Sequence, residues 1–128
     1  MSYTRTVKVE MTEQHLPHLE KACSDLGLVY HKNLTHYLTH EGERSCDHAI
    51  EMEGQRHTIG VVEENGRLNL AADFYESGRL REAVGGEFEN LMQRTSVNMA
   101  CHEMFLNGAR EIEEQVDEDN RIRLVATY

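Results

Sequence analysis

Hydrophobic and polar positions alternate at the start of the chain, where Val7, Val9 and Met11 stand among Thr6, Lys8 and Glu10, the period of two that a half-buried strand requires. The period then lengthens. Leu16, Leu19, Ala22, Cys23 and Leu26 recur at spacings of three and four, Pro17 fits only a first helical turn, and Gly27 offers the left-handed residue that ends a helix. This spacing predicts a helix over residues 14–26. From Leu28 to Phe74 the period is two again, interrupted at Lys32-Asn33, residues 41–45, residues 53–56 and Asn65-Gly66. Asn-Gly between alternating runs specifies a type I′ hairpin turn, whose two central residues both need positive φ. Turns at these places pair 40 with 46, 52 with 57 and 64 with 67. One face then reads Leu38-His48-Val61-Leu70, His36-Ile50-Ile59-Ala72 and Leu34-Met52-His57-Phe74, the expected core face. The reverse face carries Asp47, Val62 and Asn69, then Ala49, Gly60 and Ala71, then Glu51, Thr58 and Asp73. It is polar, with a smooth stripe through its middle that admits a close neighbour. A slip of one residue in any strand would exchange the two faces.

From Ser77 to Asn107 the period is 3.6, with Val84, Phe88, Leu91, Thr95, Met99 or Asn98, His102 and Leu106 on one side. Gly85-Gly86 weakens this helix by roughly 1 kcal/mol per glycine relative to alanine, which predicts a break or a late start near Glu87, and Gly108 follows its end. Arg110 to Val116 and Arg121 to Tyr128 alternate around a turn at residues 117–120 and form a terminal hairpin. The order β-α-βββββ-α-ββ predicts an α+β fold, an antiparallel meander with two helices on one face, formed by residues 1–128 as a single domain.

Length agrees with that, since 128 residues is the ordinary size of one domain. With 23 acidic and 13 basic residues the formal charge is −10, so bulk nucleic-acid binding is disfavoured while a local basic site is not. Cys23, Cys46 and Cys101 are odd in number and form no CxxC, which points away from a disulfide framework or zinc ribbon and towards a reducing, cytoplasmic setting. No run of about 18 apolar residues suggests a membrane span, and the opening strand lacks the apolar stretch of a leader.

Candidate chemistry is sparse. Of the eight histidines, His36 and His40 have the H-x₃-H spacing of a ligand pair, but on a strand they stand about 13 Å apart. The expected register instead places His40, Cys46 and Glu63 in one row with His48 diagonal to Cys46, a donor set that zinc accepts; the plainer reading is a core histidine, a packed thiol and a solvated pair. Cys46 beside His40 also has the makings of an activated nucleophile, without an oxyanion device. Asp47, Glu51 and Asp73 share the reverse face, as acid-base or Mg²⁺-binding carboxylates or as a solvated surface. Arg79, Arg81 and Arg94, near the start of the long helix, offer forks for a small anionic ligand or ordinary helix-surface ion pairs. The acidic residues between 111 and 119 lack the order of a calcium loop, and no cofactor motif is present.

Segments along nearly the whole chain carry a likeness: Leu19-Glu20-Lys21-Ala22 with Asp25-Leu26-Gly27, Asp47 to Ile50, Ile59-Gly60, Leu70-Ala71-Ala72-Asp73, Gln93-Arg94, Gly108, and Glu118-Asp119 with Ile122-Arg123-Leu124-Val125. In these the chain resembles an uncharacterised family of small proteins of cyanobacteria and red-algal plastids, the hypothetical chloroplast reading frame thirty-five, with relatives in other bacteria and in phages. It departs from that family after Gln93-Arg94, where Thr95-Ser96-Val97-Asn98 replaces an aromatic Tyr-x-Tyr-His. The resemblance implies a fold and a cytoplasmic or stromal setting, and no reaction. The expectation is therefore a non-catalytic binding or regulatory module. It is either a subunit of an assembly or a sequestering protein for a small anionic, nucleotide-like ligand bound by Arg79, Arg81, Arg94, Gly60, Asp47 and Asp73. Self-association as a homodimer or larger oligomer is expected from its size and from the Ala49-Gly60-Ala71 stripe. The alternative is a metal-assisted hydrolase using His40, Cys46 and Glu63.

Overall fold

Strand β1 (Arg5–Thr12) turns through one 3-10 turn into helix α1 (Leu16–Asp25), with Pro17 in its first turn. Gly27, at φ +74°, reverses the chain, and the Leu28 N–H returns to the Cys23 carbonyl at 2.8 Å. A computed structural model describes residues 5–128, without the side chains of residues 5 and 8–10. Met1 to Thr4 of the opening strand and the expected inward turn of Val9 lie outside the described residues.

Six strands follow: β2 (Val29–His31), β3 (His36–Thr39), β4 (Gly42–Ser45), β5 (His48–Glu51), β6 (Ile59–Glu64) and β7 (Arg67–Ala72). The main sheet is antiparallel in the order β1-β7-β6-β5-β2. Two of the expected registers are found, with Glu64 opposite Arg67 and Ile50 opposite Ile59. Asn65 and Gly66 take φ +53° and +79°, as the Asn-Gly turn demands. The pairing of 40 with 46 is not formed. Thr39 pairs instead with Gly42 across a turn at His40-Glu41, so β3 and β4 make a separate hairpin, and β2 takes the place beside β5.

The continuous meander is thus corrected to a five-stranded sheet with a hairpin folded over it. The cause is a side chain. Tyr37, 4% exposed, covers Ala49, Ala71 and Gly60 on the reverse face of the sheet. Thr58 Oγ1 accepts the Leu38 N–H at 2.7 Å, the Thr58 N–H reaches the Leu38 carbonyl at 3.1 Å, and these two bonds hold β3 in place. The phase of β3 is inverted relative to expectation. Tyr37 and Thr39 are buried, while His36 and Leu38, which the expected face turned inward, are exposed.

The core face agrees with the pattern. Ile50, Ile59, Val61, Leu68, Leu70 and Ala72 pack against Leu19, Ala22 and Cys23 of α1. The long helix is broken as Gly85-Gly86 predicts, into α2 (Gly78–Val84) and α3 (Glu89–Leu106), with Leu80, Val84, Phe88 and Leu91 in the same core. At the joint Gly85 stands at φ +89° and the fully buried Phe88 at φ +60°. That is costly for a bulky residue, and complete burial against Phe74 holds it there. On α3 the inward position is Asn98 rather than Met99, and His102 and Leu106 are exposed. Strands β8 (Glu111–Val116) and β9 (Ile122–Thr127) form the terminal hairpin, lying along α3. The fold is α+β, with helices on one face of the sheet and the β3–β4 hairpin on the other.

A carboxylate at Ile59, wholly buried, costs several kcal/mol against a total of about 5–15 kcal/mol, so Ile59→Asp is expected to abolish the cooperative melting transition. Gly60→Ala tests the reverse face, because a Cβ there would lie 2.6 Å from Tyr37 Cε1 and 2.8 Å from Cγ. Overpacking of this kind costs about 1–3 kcal/mol. In a Tyr37→Ala background the same change is expected to be nearly neutral, a coupling that denaturant melts of the four proteins would measure.

Candidate functional site

A gathering of polar side chains lies at one end of the sheet, where β5, β6 and the chain after β2 meet the start of α1. Their cleft, about 350 Å³, is lined by Glu20, Tyr30, Lys32, Asp47, His48 and Glu63 among others. The Asn33 N–H donates to His48 Nδ1 at 3.0 Å, which leaves the proton of the neutral ring on Nε2, 3.7 Å from Glu63 Oε1. Asp47 accepts the Glu63 N–H at 2.7 Å. Tyr30 stacks on His48 with ring centroids 5.7 Å apart. Its hydroxyl is buried without a partner among the described residues, and its pKa is raised by burial first and then by Cys23, Glu20 and Glu63. Carboxylates dominate this cleft.

The other residues singled out from the sequence are dispersed. His40 and Cys46 flank the two ends of the β3–β4 hairpin, roughly 16 Å apart at strand rise, because Cys46 pairs with Thr35 and not with His40. His40 sets its ring edge against Tyr75, Glu63 faces His48, and the row of His40, Cys46 and Glu63 is therefore not assembled. Among the described residues no group of three or more His, Cys, Asp or Glu is placed to share one ion. Cys46 donates its thiol to the Leu34 carbonyl at 3.1 Å, and burial, then Asp47, pushes its pKa up to about 11. Burial and Glu20 push Cys23 up to about 12, and burial and Glu114 raise Cys101. All three thiols are thus held protonated at neutral pH, the opposite of an activated nucleophile.

The three carboxylates of the reverse face also have separate duties. Asp73, 2% exposed, accepts the His40 N–H at 2.8 Å and the Tyr75 N–H at 3.0 Å, which fastens the hairpin turn to the sheet. Asp47 holds Glu63, and Glu51 meets His31 Nε2 at 3.0 Å. Gly60 lies under Tyr37 and faces no solvent-borne ligand.

Nor do the arginines converge. Arg79 and Arg81 belong to the seven-residue α2, where Arg81 lies near Gly86 and Glu89. Arg94, on α3, binds Glu114 of β8 through both terminal nitrogens, with Nη1 3.0 Å from Oε2, and Asp25 of α1 at 3.5 Å. Asn98 donates to the same Asp25 carboxylate at 3.1 Å. One guanidinium thereby joins α1, α3 and β8, an arrangement whose members are too far apart in sequence to be seen as a spacing. The same helices bring His18 and His102 together, another contact with no signal in the sequence.

No family model, no curated protein and no solved structure matches this chain. The chemistry of the site must therefore be read from its own geometry. That geometry offers an acidic cleft, protonated thiols, and carboxylates occupied by backbone amides or, at Glu51, by His31.

The Arg94–Glu114 link gives a pH test. Hydrogen bonding to Arg94 holds the Glu114 carboxyl below its ordinary 4.5, so its stabilisation is fully present above that value and is lost as pH falls through the lowered one. Glu114 is partly exposed and solvent screens the pair, so Glu114→Gln is expected to cost about 0.5–1 kcal/mol at neutral pH. Thermal melts of the two proteins should converge in acid.

Proposed function

We propose that this chain is a non-catalytic binding module that works as a subunit of a protein assembly and associates with copies of itself. The observation that carries the reading is a group of uncovered apolar side chains where α3 meets the terminal hairpin. Phe105 is 53%, Leu106 73% and Tyr128 66% exposed, and the Arg110 N–H bonded to the Thr127 carbonyl at 2.7 Å holds that junction together. Exposed apolar surface favours association, because covering it releases water.

The Ala49-Gly60-Ala71 stripe no longer argues for a second copy, since Tyr37 of the same chain covers it. Sequestering of a small anionic ligand draws less support, because Arg94 is already engaged by two carboxylates. The metal-assisted hydrolase loses its motivating row, as His40, Cys46 and Glu63 lie apart. A cytoplasmic setting accords with three unpaired cysteines, and no described helix is long and apolar enough to cross a membrane. The likeness to the plastid reading-frame family belongs to this reading as an expectation of fold and setting.

Light scattering over a range of concentrations tests the reading. The wild-type chain should scatter as a dimer or larger, and Phe105→Asp/Leu106→Asp should reduce it to a monomer with unchanged circular dichroism. A wild-type monomer at the highest concentration reached, with no change in the variant, would remove the support.

A further inference from the structure

Helix α1 lies against α3, and their contact sets the rings of His18 and His102 with centroids 5.2 Å apart and planes inclined by 54°. Neither ring makes a hydrogen bond or an ion pair among the described residues. His18 is half-buried and His102 exposed, and both line an open groove of about 370 Å³ together with Cys101 and Glu114. Two imidazoles bound to one tetrahedral zinc at ~2.0–2.1 Å place their ring centroids about 5 Å apart. The 5.2 Å found equals that spacing, and it also lies within the range of ordinary ring contacts. We propose that His18 and His102 form a two-histidine site for a zinc-class divalent transition ion, with water in the remaining coordination positions and the bound ion clamping α1 to α3.

Imidazole nitrogen suits zinc, copper and nickel, and the neutral ring is the ligand. Since among the described residues no third His, Cys, Asp or Glu is placed to join the pair, the ion keeps open positions, unlike a closed structural zinc. The site stands independently of the self-association proposed above, because its two ligands come from one chain.

The test uses the untagged full chain and zinc chloride alone in a buffer that does not bind metal, read by calorimetric titration and by thermal shift. One zinc per chain and a rise of several degrees in melting temperature are expected, by mass action on the folded state. His102→Ala, at an exposed helix position, should fold normally and weaken zinc binding at least tenfold, as should His18→Gln. His36→Ala, at an exposed histidine elsewhere, and Cys101→Ser should bind as the wild type does. The proposal is overturned if the wild type shows no shift and no heat, or if His102→Ala binds zinc with wild-type affinity. It is overturned equally if Cys101→Ser abolishes binding that His102→Ala retains.

Discussion

The absence of a Cβ at Gly60 lets the Tyr37 ring lie flat on the reverse face of the sheet, and the layering of the whole molecule follows from that contact. With Tyr37 and Cys46 packed over Ala49 and Ala71, the central strands are covered on both sides, helices below and hairpin above. β7 shows the consequence, since Leu68 to Ala72 are buried without a break where a one-sided sheet would alternate. Backbone groups beneath and beside this covering are paired at two places. Thr58 exchanges two hydrogen bonds with Leu38, and the buried Asp73 carboxylate takes the amides at the hairpin turn.

Charge is organised in the same way, by a few side chains that each serve several elements. In a chain of formal charge −10, one arginine, Arg94, holds Asp25 and Glu114 together and so ties α1 and the terminal hairpin to α3. A bidentate guanidinium is suited to this because its donors lie in a fixed plane. Structural use of that fork leaves it unavailable to a diffusing anion.

The thiols are buried or shielded by neighbouring carboxylates and stay protonated, and the reverse-face carboxylates accept hydrogen bonds that position backbone or a histidine. Exposed apolar side chains lie near the end of α3 and the terminal hairpin, as well as at Val29, Leu34, Leu38 and Tyr75 elsewhere. Phe105 belongs both to the uncovered apolar group and to the groove that holds His18 and His102. A clamp across α1 and α3 would therefore act beside the surface proposed for association.

By itself the sequence determined the elements and most of their faces. Periodicity and turn chemistry located α1, the β6–β7 hairpin at Asn65-Gly66, the helix break at Gly85-Gly86, the terminal hairpin, and Ile50, Ile59, Val61 and Leu70 as core. These are local properties, set by spacing within one segment or by the φ one residue can adopt. The tertiary structure alone decided which strand stands beside β5, because alternation marks a face and says nothing of the neighbour. β2 and β3 both alternate, and the choice between them rests on Tyr37 fitting over Gly60 from across the sheet. Arg94 with Asp25 and Glu114, and His18 with His102, were hidden for the same reason. Their partners lie many residues away, and only the packing of α1 and the hairpin on α3 brings them within reach.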